Sequence, residues 1–451
     1  MSQSMPTLSP RRVLQFALDP FTGMMDAYRA HGSVVGVGYG SQRTTFVFGP
    51  EANAFVFANP SLFSWRDSFE VMLPVLGDTA LLVTDGPDHH RRRHLTLPAF
   101  HRRRIDAYVR LMARNTAAAV ETWQSGRRLD LYQALRSVIR CNTVEALYGA
   151  RLAADNQMIG ARLQIALDST DLPLGMQLFL AGIPNPMTAR ARRARRQVAA
   201  RVQAEIGRRR AREAGAARAG GCPVDGGEGG DGLAMLLAAR DSEGRSLADR
   251  ELEDQVISLI VAGYETTSAA MGWTVHAALS TPGVWDDARK EVDSVLGDAE
   301  LTGEALERLP YVDAVVQEAL RLHPPVVVLP RVAAQDFEFA GHTIRAGRRL
   351  AISPYVTHRM PEVWPQAAQF LPERWSPGHP AHRPATPSTY LPFGGGAHRC
   401  IGSPFATAEL KTILIELLRR TELRLEAEAT PASIMAMRPR RGVPVVVRRR
   451  T

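Results

Sequence analysis

The chain has 451 residues, of which 45% are apolar and 22% charged, and a formal net charge of +9. That length supplies a large core and leaves room for two or three domains, yet no internal repeat divides it and no run of about 20 apolar residues is present to cross a bilayer. Cys141, Cys222 and Cys400 stand at unrelated spacings, which excludes a disulfide scaffold and points to a reducing, cytoplasmic compartment.

At the N-terminus Arg11-Arg12 has the look of a twin-arginine export signal, but the apolar stretch after it ends at Asp19-Pro20, too soon for the apolar part of such a signal. Further on, Asp88-His89-His90-Arg91-Arg92-Arg93 places His89 and Arg93 one helical turn apart. Arg91 and Arg92 read as solvent-facing, His90 as a surface residue, and Arg102, Arg103 and Arg104 add a second basic group. Cys141 lies in an apolar helical pattern and reads as a packed free thiol. Residues 190–212 carry arginines at helical spacing. A solvated helix face explains them, and nucleic-acid binding is disfavoured because no aromatics are interleaved. The glycine-rich run 215–232, which includes Cys222, reads as a flexible loop before a helix starting near Leu233.

A long apolar-periodic run follows from Asp249 to Ser280, about 45 Å of helix, closed by Thr281-Pro282-Gly283. Its middle, Ala262-Gly263-Tyr264-Glu265-Thr266-Thr267, is poor helix chemistry. Threonine hydroxyls there can bond back to carbonyls and open the ladder. Glu318 and Arg321 share a face of a second helix, which His323-Pro324-Pro325 ends. An apolar strand is expected over residues 326–329, with Arg331 just after it. Phe370-Leu371-Pro372-Glu373-Arg374-Trp375 precedes the most telling segment, Phe393-Gly394-Gly395-Gly396-Ala397-His398-Arg399-Cys400-Ile401-Gly402. There a single cysteine ends a glycine-rich loop and precedes a helix expected to start near residues 401–404 and run to about Arg420. Glycines allow close approach of a flat ligand to the backbone. The helix start offers free N–H groups that favour a thiolate, hence a metal ligand or a nucleophile.

This last segment resembles the haem-binding loop of the cytochromes P-450, Phe-x-x-Gly-x-[Arg/His]-x-Cys-x-Gly, at every defined place. The motifs before it stand in that family's order: His89-x-x-x-Arg93, the Gly-x-acid-Thr segment of the central helix, Glu318-x-x-Arg321, and the Pro-Glu-Arg-Trp box. The resemblance runs from about Asp85 to the C-terminus and implies one mainly helical domain over 1–451 with a small β part. The haem would lie between the long central helix and the Cys-loop helix. It implies heme b (iron protoporphyrin IX) with Cys400 on the iron, and His89, Arg93, Arg331, Phe393 and His398 about the macrocycle and its propionates. It also implies Glu265 and Thr266 as a proton relay, and Glu318, Arg321 and Arg374 as a buried triad that holds the Cys loop. Basic residues near His89 would receive an electron donor.

The activity so implied is a monooxygenase using dioxygen and two electrons. No flavin or iron–sulfur segment follows Cys400, so a ferredoxin with its reductase is the expected donor, fed by NAD(P)H. Two alternatives share the fold: a peroxide-driven peroxygenase or isomerase, and a non-catalytic haem or gas-binding protein. Neither needs the acid–alcohol pair at 265 and 266, and turnover with ferredoxin or with peroxide separates all three. The segments that line the family's pocket are Trp65, residues 69–76, 172–183 and 326–329, and Ile434. They are largely apolar, which favours a neutral hydrophobic substrate of terpenoid, steroid, polyketide or fatty-acyl type.

Overall fold

A computed structural model describes residues 5–40, 43–101, 104–169, 186–218, 230–432 and 436–450. The expected long helix spans Asp249–Ser280. All but four of its residues from Val256 to Ala278 are buried; the accessible ones are Leu259, Ala262, Gly263 and Thr266. That burial explains its nearly uniform apolar composition, since a helix packed on every side needs no polar face. Around it pack the helices Leu131–Tyr148, Pro186–Arg218, Pro310–Leu322 and Ser403–Arg420. At Gly263 an added Cβ would stand 2.9 Å from Thr143 Cγ2, so glycine is what lets the central helix lie against Leu131–Tyr148.

The β part is small. Its main sheet runs in the order Val34–Val37, Thr44–Val47, Arg349–Ile352, Leu329–Ala333 and Phe63–Ser64, with only the second and third strands parallel. The strand expected at 326–329 begins at Leu329 and carries Arg331 within it. Prolines at 324 and 325 cannot donate to a ladder, which delays pairing. The register sets Ser64 opposite Val332 and so brings the next residue, Trp65, beside Arg331. A second sheet joins Arg127–Asp130, Pro444–Arg449 and Thr421–Leu425.

The arginine-rich segment is the helix Pro186–Arg218. It continues as helix over the first four residues of the expected loop 215–232, because Ala and Arg there outweigh one glycine. Residues 219–229, with Cys222, lie outside the described residues. Arg195 pairs with Glu253 and Asp254, Arg201 with Asp155, and Arg209 with Glu205 and Asp231, so part of that charge clamps helix to helix. Arg190, Arg192, Arg193 and Arg196 remain exposed. Among the described residues, no helix is long and apolar enough to cross a membrane.

Candidate active site

The cysteine loop is built by glycine and by one backbone clasp. Gly394 and Gly396 both take φ of +65°, and an added Cβ on Gly395 would meet the Phe57 ring at 2.5 Å. Side chains are therefore excluded at all three positions. Cys400 N–H donates to Phe393 O (2.9 Å) and Gly394 N–H to Leu391 O (3.0 Å). The Phe393 ring is half-buried against the main core. The following helix is Ser403–Arg420, with Gly402 as its cap. N–H groups of Gly402 and Ser403 point at Cys400 Sγ as expected, and Arg93 and Arg399 add positive charge. Their sum does not yield a free thiolate. Loss of hydration outweighs them and the thiol is raised above its ordinary value. Cys400 is nonetheless accessible on one side, and a metal there would displace the proton outright.

Around the sulfur the predicted basic residues converge. His89 and Arg93 lie on the helix Gly86–Thr96, with His89 buried and Arg93 near enough to Cys400 for each to act on the other's proton affinity. His398 stacks on Trp65 with centroids 4.1 Å apart and planes 2° from parallel, and lies 3.9 Å from His89. Arg331 covers the Trp65 ring at 4.1 Å. Trp65 is thus part of the basic cluster, and not simply a wall of the substrate pocket as expected. Its indole donates to Leu82 O (2.6 Å) and its N–H to Asp85 (3.0 Å). Nothing in the sequence marked it out, because the sheet register creates the contact.

Among the described residues the cluster has little counter-charge. Asp85 is 3.7 Å from His398 and is the one carboxylate that raises His89 and Arg331. Burial lowers His398 to about 3, His89 to about 4 and Arg331 to about 9; Arg93 is also lowered. Buried cations are unfavourable unless paired. Such a set suits a flat ligand with an anionic edge, laid against an accessible sulfur. Ala262 and Thr266 lie on the accessible stripe of the central helix.

The two predicted relay residues diverge. Thr266 Oγ1 donates to Ala262 O (2.7 Å), the expected back-bond, but the helix stays continuous there. One bifurcated carbonyl does not break a helix held by packing on both sides. Successive helical residues point about 100° apart, and Glu265 turns away from the Thr266 face. It pairs with Arg136 and lies 3.7 Å from Arg438. Neither arginine had a sequence signal, since they stand on other elements far along the chain.

Glu318 is the centre of a fully buried network. Arg321 grips it with two bonds (2.8 and 2.9 Å), and Arg374 Nε (2.9 Å), Trp375 Nε1 (3.1 Å) and Leu371 N–H (2.9 Å) complete its shell. The two guanidinium groups spend their other donors on the carbonyls of His358, Ala367, Gln369, Pro365 and Gln366. His358 carries this to the Cys loop: its Nδ1 lies 2.9 Å from Arg321 O and its Nε2 accepts from Leu391 N–H at 2.9 Å. That pattern assigns the proton to Nδ1, and burial keeps the ring neutral. His358 was not foreseen, because its role depends on backbone groups.

Arg91 and Arg92 do not face solvent. Arg91 binds Asp241 (2.8 Å), Glu251 (3.1 Å) and Ser246 O (2.8 Å), while Arg92 is buried and binds Glu251 at 2.9 Å. Burying an arginine beside the acidic start of the central helix satisfies both charges. Arg102 and Arg103 lie outside the described residues, and Arg104 donates to Gly230 O. Arg91, Arg92 and Arg104 of the expected docking surface are therefore spent inside the protein.

The site thus brings together a cysteine at a helix start, a basic cluster around it and a central helix with a back-bonded threonine. The sequence model of the Cytochrome P450 family matches residues 12–443. "Putative cytochrome P450 139" of Mycobacterium tuberculosis H37Rv is 40% identical over 430 residues, 94% of this chain and 97% of the relative. "Cyclooctat-9-en-7-ol 5-monooxygenase" of Streptomyces melanosporofaciens is 33% identical over 422 residues, 92% of this chain and 86% of the relative. Cyanobacterial CYP120A1 with retinoic acid bound superposes with a TM-score of 0.83 at 26% identity, covering 99% of this chain and 100% of that one. The chain belongs to the cytochrome P450 family, and it is an oxidoreductase that incorporates oxygen, with haem as the family's cofactor.

Proposed function

We propose that this protein is a monooxygenase of a neutral, hydrophobic small molecule, of terpenoid or related secondary-metabolite type. Electrons would come from NAD(P)H through a separate reductase and ferredoxin, in the cytoplasm. The carrying observation is the conjunction at Cys400: an accessible sulfur facing two backbone N–H groups, ringed by Arg93, His89, His398 and Arg331. Cys400 holds the iron of heme b, the basic residues hold its propionates, and Phe393 supports the loop below. When bound, haem activates dioxygen and inserts one of its atoms into substrate. The relative that acts on cyclooctat-9-en-7-ol supports the substrate class, as does the apolar character of residues 69–76. Residues 172–183 and Ile434 lie outside the described residues.

The chain's own part is to hold, to exclude and to move protons. Glu265 stands on the other side of the helix, ion-paired with Arg136 and 3.7 Å from Arg438. Thr266, one residue on, holds a hydroxyl at the inner face, where its proton is oriented by the carbonyl of Ala262. The Thr266 hydroxyl keeps lone pairs to accept from a pocket water, and a proton passing between Glu265 and Thr266 needs such a water to bridge them.

The test is spectral and then catalytic. Cys400→Ala should abolish the thiolate-type carbon monoxide difference spectrum, while Cys141→Ala should keep it. Turnover of a terpenoid panel should require ferredoxin, reductase and NAD(P)H. A normal spectrum in Cys400→Ala, or equal turnover with peroxide alone, would overturn the reading.

A further inference from the structure

On the outer side of Glu265 lies a separate cavity of about 290 Å³, walled by Tyr132, Arg136, Gln164, Arg438, Arg440 and Arg441. Four guanidinium groups thus meet in one place. The carboxylates at hand are Asp130, on the cavity wall, and Glu265, which Arg136 and Arg438 share. Asp130 is committed elsewhere, accepting from the N–H groups of Val443 (3.0 Å) and Gln133 (3.4 Å). It also shapes the rim: a Cβ at Gly442 would stand 2.2 Å from its carboxylate. The tight turn after Arg440 and Arg441 is therefore held in place, with both arginines exposed at the mouth. Arg440 has one long bond, to Pro431 O at 3.4 Å.

The floor carries unspent donors. Tyr132 is 3% exposed and its hydroxyl makes no hydrogen bond among the described residues, and Arg136 Nε is likewise unpaired. A buried hydroxyl without a partner is costly. Burial, then Glu265, push Tyr132 up to about 12, so it is a donor throughout the physiological range. An arrangement of donors with surplus positive charge, open to solvent and without a filled acceptor, matches a compact oxyanion with several acceptor oxygens.

We propose that this cavity is a binding site for a tetrahedral phosphate dianion, free or as the monoester of a small alcohol, seated on Tyr132, Arg136, Arg440 and Arg441. Its oxygens compete with the Glu265 carboxylate for Arg136 and Arg438. Occupancy of the site therefore loosens the ion pair that holds Glu265.

Calorimetric titration of the haem-loaded protein at constant ionic strength tests this, with inorganic phosphate and glycerol 3-phosphate as separate probes. Saturable binding of at least one, at one per chain, is expected. The ester binding more tightly assigns a phosphorylated organic ligand; equal or weaker binding assigns free phosphate. The double substitution Arg440→Gln, Arg441→Gln removes two exposed charges and should weaken binding ~10-fold or more. Tyr132→Phe should weaken it several-fold, and Glu265→Gln, which removes the competing carboxylate, should strengthen it. Absence of saturable binding by either probe overturns the site, as does binding unchanged in the Arg440, Arg441 double variant. The readout is binding without turnover, so it stands or falls apart from the monooxygenase reading.

Discussion

At the residue scale, Thr266 and Glu265 show how adjacent side chains on one helix are given different neighbours. Thr266→Ala removes an oriented hydroxyl but no packing of consequence, because the residue is only half-buried. The variant should bind haem and substrate normally and still consume NAD(P)H, with a larger share of that consumption appearing as hydrogen peroxide. Unchanged product per NAD(P)H would remove Thr266 from the relay. Glu409 is a second informative residue. It is wholly buried on the helix Ser403–Arg420, and burial raises it to about 8, opposed only by the neighbouring amide of Asn142. Unfolded, the same carboxyl titrates near 4.3. The folded state therefore holds the proton more tightly. The associated stability is complete below about pH 4 and is lost as pH rises toward and through about 8. Glu409→Gln is neutral at every pH. Denaturation of both proteins between pH 5 and 9 should show the wild type losing a few kcal/mol relative to the variant; parallel curves would mean that the carboxylate finds a partner when charged.

At the element scale, the Glu318 helix, the segment around Arg374 and the Cys loop behave as one unit. The chain of bonds from Glu318 through Arg321 and His358 to Leu391 crosses three segments remote in sequence. Glu318→Ala would strand two buried guanidinium groups, and breaking such a pair costs roughly 3–5 kcal/mol. Because the network ends at the loop that presents Cys400, the variant should be recovered poor in haem or insoluble. His358→Ala should lower haem content more mildly, since it breaks the link to Leu391 but leaves Glu318 satisfied. The ratio of Soret to protein absorbance in purified protein measures both. A fully haem-loaded, stable Glu318→Ala protein that had merely lost turnover would contradict this account.

At the scale of the whole molecule, several arginines act as internal clamps and not as surface charges. Arg91 and Arg92 join the helix Gly86–Thr96 to Glu251 at the start of the central helix, and Arg195, Arg201 and Arg209 join the helix Pro186–Arg218 to its neighbours. Arg92→Glu should accordingly lower thermal stability and haem retention even with no electron donor present, through repulsion from Glu251 at a site 7% exposed. A normal melting temperature with donor-dependent turnover alone impaired would return Arg92 to the surface role first expected of it.

The motif order shared with a known family set the fold class; the sequence alone determined the boundaries of the central helix and marked out the loop that ends at Cys400. Those rest on local signals: apolar periodicity, a Thr-Pro-Gly stop, and a glycine-rich loop whose backbone only glycine tolerates. Only the tertiary structure decided which charges are spent. Whether an arginine clamps, docks or binds depends on the carboxylate that meets it across the chain, as Glu251 meets Arg92 and Glu265 meets Arg136. It likewise decided that Trp65 lies under Arg331, through strand register, and that His358 links the triad to the Cys loop through backbone groups that every residue carries alike. At Cys400, burial opposes the helix-start donors and raises the thiol. Helix-start donors are local and legible in sequence, whereas the loss of hydration that outweighs them is set by everything packed around the sulfur.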